Sequence, residues 1–183
     1  MIKVGILMAS GCEEIEALTV VDLLRRAQIS IDMIGIDSAP TVTGSHGIIV
    51  ETDVPMRDAV WSKYDALILP GGMPGTLNLK NDAIVTTQVK AFADAGKLVA
   101  AICAAPTVLG HCGILRGRRA TCYPGCEDGL VGANLSKENV VRDDNIITSR
   151  GMGTAIDFSL AIVDYLIDQK TAEDLAKSIV YRA

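Results

Sequence analysis

The chain has 183 residues, of which 49% are hydrophobic, 21% charged and only 4% aromatic. That length can bury an aliphatic core without disulfide or metal staples, and the composition excludes disorder, collagen and a small disulfide scaffold. With 17 basic and 22 acidic residues the net charge is -5, which speaks against a broad nucleic-acid surface. The whole span 1–183 reads as a single domain.

Residues 2–8 form a continuous apolar run and predict a buried strand. Glu13 and Glu14 follow with no small-residue cleavage site, so this start reads as a strand and not a signal peptide. Residues 13–28 predict a helix, with Ser10 and Glu13 in the spacing of a capping box. Its apolar stripe is Ala17, Val20, Leu23, Leu24 and Ala27. Glu14 falls on the polar side with Arg25. Glu16 falls on the apolar side, pointing toward the sheet near the carboxyl end of the first strand, where a carboxylate must be protonated or paired.

Residues 30–36 predict a second strand, and 41–51, with Gly44 and Gly47, a small hairpin excursion. Another strand over 65–69 stops at Pro70-Gly71-Gly72. A helix over 82–95 ends at Gly96. Residues 97–102 read as a strand, 104–112 as a short helix, and 120–123 as a further strand. Strands flank the Asp143-Asp144-Asn145 turn within 140–149, and helices close the chain at 153–167 and 172–180. The uncharged stretch Leu98 to Leu115 touches the lower length limit of a membrane span. Pro106, Gly110, His111 and Gly113 within it favour a strand, a turn and a buried helix. Strands alternating with helices predict an α/β fold with a mostly parallel sheet covered on both faces, binding ligands at the carboxyl ends of its strands.

Of the five cysteines, Cys103 stands apart. A strand ends there and a helix starts at once, with small Ala101 and Ala105 two positions to either side, as in a cysteine nucleophile elbow. Pro106 suits the first helical turn. The helix N-terminus is expected to lower the thiol pKa, and the amides of Ala104 and Ala105 to cradle an oxyanion. A protonated Glu16 would donate to the Cys103 thiolate. The bland alternatives are an inert buried cysteine and a first-turn acid that complements the helix dipole. An odd cysteine count with no secretory signal points to reduced thiols in the cytoplasm. Cys122 and Cys126 form C-x3-C near Cys112, but with two histidines in the chain no strong zinc pattern exists. Cys12 reads as a loop thiol near the cleft. His46, in the turn Gly44-Ser45-His46-Gly47, reads as a solvated loop histidine, with reach into the site from a partner subunit as the alternative. His111 reads as capping or packing the elbow helix, Arg116, Arg118 and Arg119 as a solvated basic turn, and Thr154 as a helix cap.

Four motifs carry a resemblance. Gly11-Cys12-Glu13-Glu14-Ile15-Glu16, Leu69-Pro70-Gly71-Gly72, Ala100-Ala101-Ile102-Cys103-Ala104-Ala105-Pro106 and Thr148-Ser149-Arg150-Gly151-Met152-Gly153-Thr154 stand in the order and spacing of the ThiJ/PfpI superfamily. The chain resembles the branch of the parkinsonism-associated protein DJ-one and its bacterial relatives over nearly its whole length. The resemblance implies a flavodoxin-like three-layer sandwich, a homodimer and no cofactor or metal. It implies Cys103 as reactive cysteine, Glu16 as its acid partner, and the amides of Gly72 and Ala104 as oxyanion donors. The implied activities are glyoxalase-type conversion of methylglyoxal to lactate and deglycation of glycated substrates. Oxidation of the cysteine to the sulfinate, redox sensing and chaperone activity are also implied. Two positions depart from the pattern. Ala104 stands where the protease-like branch has His, which leaves a peptidase or amidase the weakest reading. Tyr123 stands where relatives often carry a His after the elbow helix. A phenol is a poor base at neutral pH, although Tyr123 could orient a substrate carbonyl.

Overall fold

Strands that are apolar on both faces need cover on both, and the chain supplies it by alternating strands with helices. The computed structural model describes residues 2–181. In chain order the elements are β1 (Lys3–Met8), α1 (Glu14–Arg26), β2 (Ser30–Gly35), β3 (Thr41–Thr43), β4 (Ile49–Glu51), β5 (Val54–Pro55), β6 (Ala66–Leu69), α2 (Gly75–Asn81), α3 (Ala83–Asp94), β7 (Leu98–Ile102), α4 (Pro106–His111), β8 (Arg119–Ala120), β9 (Asn134–Leu135), β10 (Val140–Asp143), β11 (Ile146–Ser149), α5 (Ala155–Leu166) and α6 (Gln169–Ser178).

The main sheet runs β10-β11-β7-β6-β1-β2-β5, parallel throughout except for the antiparallel β10–β11 pair. Alternate residues of each strand go to opposite faces. Ile6, Ile68, Ala100 and Ile102 join α1, α5 and α6 in one core. Leu7, Leu67, Leu69 and Val99 join α2, α3 and α4 in the other. The result is a flavodoxin-like three-layer sandwich. The crossover from β1 packs α1 on one face and that from β6 packs α2 and α3 on the other, so the connections part between β1 and β6. A crevice outside the carboxyl ends follows from that switch in topology.

Most predicted elements appear within a few residues of their expected bounds, and several details differ. The hairpin expected over 41–51 is present, β3 with β4, as a two-stranded sheet of its own. Asp82 caps α3 by accepting from the amides of Ile84 and Val85 at 2.8 and 2.9 Å. Helix α2 is not among the expected elements; it packs through Leu79, which is wholly buried in the second core. The expected 120–123 strand shrinks to β8, and Tyr123 sits in the turn beyond it. The expected capping box is absent: Ser10 Oγ donates to Asp37 at 2.6 Å, and Glu13 is the N-cap but its side chain makes no bond to the helix amides. Thr154 also leaves α5 uncapped, and its hydroxyl donates to the Gly151 carbonyl at 2.8 Å. No described helix is long and apolar enough to cross a membrane; the uncharged stretch from Leu98 divides into β7 and α4.

Phe158 on α5 is fully buried among β-strand and α1 side chains. Phe158→Ala is expected to lower the unfolding free energy by about 3–5 kcal/mol through lost transfer energy and a residual cavity. Ile84→Ala on the exposed face of α3 should stay within about 0.5 kcal/mol. Urea unfolding of the two variants checks the pair.

Candidate functional site

The turn from β7 into α4 puts one residue, Cys103, into the left-handed region at φ 65°. A side chain with Cβ pays steric strain there, and it persists only where the surroundings hold it. The surroundings do so from two sides. The Cys103 amide donates to Ser149 O of β11 at 3.0 Å, and its carbonyl accepts from the Tyr123 amide at 2.8 Å. Ala101 and Ala105 on either side are fully buried, which leaves no room for larger residues. Pro106 opens α4, as expected. The strand-to-helix elbow is therefore present, with the cysteine at its apex.

Beneath that apex lies Glu16. It sits on the core face of α1 and is only 1% exposed. Its Oε2 accepts from the Gly71 amide at 2.9 Å, and the carboxyl shares a hydrogen bond with the Cys103 thiol. Close approach explains the glycine: a Cβ on Gly71 would stand 2.6 Å from Glu16 Oε2 and 2.6 Å from Cys103 Cβ. The next residue, Gly72, has φ 90°, which a side chain would strain, and the Gly71 carbonyl is tied to the Glu13 amide at 2.8 Å. The β1–α1 loop, the β6–α2 loop and the elbow thus meet at one point, at the crevice the topology predicts.

Burial raises the Glu16 pKa from 4.5 to about 7, against hydrogen bonds from Cys103 and the Gly71 amide. Burial also pushes up the Cys103 thiol, to about 12, helped by the charge of Glu16 and the hydrogen bond to it. The amides of Ala104 and Gly72 both point at the sulfur and pull the other way. The expectation that the helix terminus alone would depress the thiol is thereby corrected, since desolvation and the Glu16 carboxylate outweigh it. The two groups titrate as a unit. Both groups hold their protons more tightly than they would in water. Once one proton has left, the other resides on sulfur or on carboxyl. The form with thiolate and neutral Glu16 has the same charge as the form with thiol and carboxylate, so a thiolate is reached by moving one proton between neighbours.

The hairpin supplies the outer wall. Glu14 is not on a solvated face, as its position opposite the apolar stripe suggested, but 3% exposed beneath the β3–β4 turn. Desolvation opposes its charge, yet hydrogen bonds from its own amide, from the His46 ring and from the amides of His46 and Ile48 lower its pKa to about 2. The His46 amide donates to Oε1 at 2.8 Å, and Nδ1 lies 3.0 Å from Oε2. The turn is further tied down by Ser45 N to Cys12 O at 2.8 Å and Gly11 N to Thr43 O at 2.7 Å. His46 is 69% exposed, as a loop histidine should be, but it reaches the cavity of its own chain. No partner subunit is needed to bring it there.

The cavity measures about 690 Å³ and is lined by Glu13, Glu16, His46, Gly72, Cys103, Ala104 and Tyr123, gathered from α1, the β3–β4 turn and the loops at the carboxyl edge of the sheet. Cys103, Glu16, Gly72, Ala104, Tyr123 and His46, singled out from the sequence, thus border one space, whereas the Ala105 amide, expected to share in the oxyanion cradle, donates to Ile102 O at 3.0 Å and lies outside it. Met73, Cys126, Arg150 and Met152 also line it. Arg150 and Met152 belong to the last of the four sequence motifs and Cys126 to the C-x3-C, but only the folding of the loops around the elbow brings these four residues to the cavity. Arg150 is partly committed, donating to Lys137 O at 3.0 Å. Cys12, Cys112 and Cys122 are buried, and burial raises each thiol. Glu13, Glu14 and His46 bring donor atoms within 4.8 Å of one another. In this structure the ring Nδ1 and the Ser45 hydroxyl already serve those carboxylates, as parts of a hydrogen-bonded brace.

A strained elbow cysteine over a buried acid, at the carboxyl edge of a flavodoxin-like sheet, defines a class of cysteine-centred α/β proteins. The sequence model of the DJ-1/PfpI family matches residues 2–165, and the chain belongs to that family. Among its relatives, Protein dj-1beta of Drosophila melanogaster is 34% identical over 177 residues, covering 96% of this chain and 95% of the relative. A Caenorhabditis elegans relative named glutathione-independent glyoxalase DJR-1.2 is 34% identical over 176 residues, covering 95% and 93%. The structure of oxidized Toxoplasma gondii DJ-1 superposes with a TM-score of 0.95 at 34% identity, over 100% of both chains.

The two acids of α1 have opposite linkage signs. Glu16, raised when folded, adds stability that is fully present below pH 4.5 and is lost as pH rises toward about 7. Glu14, lowered when folded, adds stability present above pH 4.5 and lost as pH falls toward about 2. Glu16→Gln is therefore expected to flatten the decline in unfolding free energy between pH 4.5 and 7 while leaving the acid limb in place. Urea titrations across that range test it; an unchanged slope would show that Glu16 ionises normally.

Proposed function

We propose that this chain converts reactive 2-oxoaldehydes, of which methylglyoxal is the simplest, into 2-hydroxy acids with Cys103 as nucleophile. The observation that carries this reading is the sulfur itself: it borders an open cavity, shares a proton with Glu16 and faces two amides. The relative named as a glutathione-independent glyoxalase supports it. In the reactive form the thiolate attacks the aldehyde carbon, C1, and the new alkoxide oxygen takes the Glu16 proton. The amides of Gly72 and Ala104 would stabilise the charge that leaves sulfur for oxygen. In the resulting hemithioacetal, C1 is oxidised and C2 reduced by movement of a proton between them, giving a thioester. Water cleaves the thioester, returning the thiol and releasing the hydroxy acid. Net, one aldehyde and one water give one hydroxy acid, with no external oxidant. Deglycation of protein adducts would begin with the same attack.

Incubation with methylglyoxal is expected to yield lactate, with turnover abolished in Cys103→Ala. Equal lactate in the two proteins would overturn the assignment.

A second reading rests on the same amides. Oxidation of Cys103 by peroxide to the sulfinate would place oxygens within reach of the Gly72 and Ala104 amides and of a protonated Glu16, as a redox sensor or stress-activated holdase requires. Limited peroxide followed by peptide mass mapping is expected to find the sulfinate on Cys103 ahead of Cys12, Cys112, Cys122 and Cys126. Uniform oxidation of the five would count against a tuned sensor.

A further inference from the structure

The proton transfer between C1 and C2 needs a base whose pKa lies near neutrality, within reach of the carbon atoms. Glu16 is held by the Gly71 amide and by the Cys103 thiol, so its oxygens face sulfur and the oxygens formed beside it. Tyr123 offers only a phenol. Arg150 cannot act as a base. One imidazole borders the cavity, that of His46.

His46 has the arrangement that makes a loop histidine into a catalytic one. Its Nδ1 is directed by a carboxylate, Glu14 Oε2, at 3.0 Å, with Glu13 Oε2 at 3.3 Å and Ser45 Oγ at 3.1 Å. Glu14 is itself immobilised by the amides of His46 and Ile48. The ring is therefore oriented from behind by a buried acid that is oriented in turn, as a base and its positioning group are in nucleophilic enzymes. With Nδ1 engaged, Nε2 is the nitrogen left for a ligand. Resting on the carbonyl-converting reading above, we propose that His46 is the proton carrier of the reaction, with Glu14 as its positioning residue.

The balance is complete with two carriers. Nε2 takes the C1 proton of the hemithioacetal, and its electron pair forms the enediolate. Glu16, left as carboxylate by the first step, moves the hydroxyl proton from the C1 oxygen to the C2 oxygen. The imidazolium returns its proton to C2 as the C1 carbonyl of the thioester forms. Each carrier ends as it began. The charged groups facing His46 are Glu13 and Glu14, and the hydrogen bond to Glu14 with those two charges raises its pKa above 6.5. That direction suits a group that must both accept and return a proton near pH 7.

The test compares wild type, Cys103→Ala and His46→Ala with methylglyoxal and with methylglyoxal deuterated at C1. His46→Ala is expected to lower kcat by roughly 10²–10⁴-fold, the usual contribution of a general base. The primary isotope effect should grow in that variant, and added imidazole should restore part of the rate, because the exposed position leaves room for it. Cys103 alkylation by iodoacetamide should keep its wild-type rate, which separates lost proton transfer from a displaced hairpin. Glu13→Gln should move the acid limb of the kcat profile to lower pH. Turnover in wild type that persists unchanged in His46→Ala would overturn this inference and leave the function standing. A loss without imidazole rescue and with slowed alkylation would overturn it in favour of a structural role. No turnover in wild type above Cys103→Ala would overturn the function and this inference with it.

Discussion

The carboxyl edge of this sheet is organised around one buried acid. Glu16 lies where water cannot solvate it, and an uncompensated carboxylate there would be costly. Its charge is met by one amide and one thiol, and each imposes a demand on a different segment. The amide must come from a residue without a side chain, which makes position 71 glycine. The thiol must sit at a turn tight enough to hang over α1, which places Cys103 in left-handed backbone. The loops after β1, β6 and β7 converge because a single carboxyl requires all three.

The electrostatics of the pair follow from that convergence. Taken alone, the elbow cysteine would be judged by its helix terminus, and a low thiol pKa would be expected. With the acid beneath it the relevant quantity is the location of one shared proton. Burial makes both groups reluctant to ionise, whereas moving a proton from one to the other leaves the net charge of the pair unchanged. Glu14 illustrates the opposite outcome two residues earlier on the same helix. Its side chain is also covered from solvent but less deeply enclosed, and N–H donors from the hairpin turn lower its pKa to about 2. Two acids one half-turn apart thereby shift in opposite directions through their depth and their hydrogen-bond partners.

The hairpin is the less obvious part of the design. Its strands are outside the main sheet and bury little. Its turn nevertheless braces Glu14, holds the β1–α1 loop through Ser45 and Gly11, and carries an imidazole to the rim of the cavity. Tyr123 borders the same space while its backbone links the elbow to the segment beyond β8.

The sequence by itself determined the alternation of strands and helices, because apolar runs and amphipathic stripes have different periods. It also determined the inward face of Glu16 and the elbow at Cys103, since both are local: a helical angle and a strand ending between small residues. What only the tertiary structure decided was contact between distant segments. The burial of Glu14, the need for glycine at 71, the formation of α2 and the entry of His46 into its own cavity depend on loops some 30 to 60 residues apart meeting at the sheet edge. Periodicity carries no information about such meetings, and the thiol pKa was misjudged from the sequence for that reason. Its largest influences, desolvation and the Glu16 charge, exist only once α1 lies under the elbow.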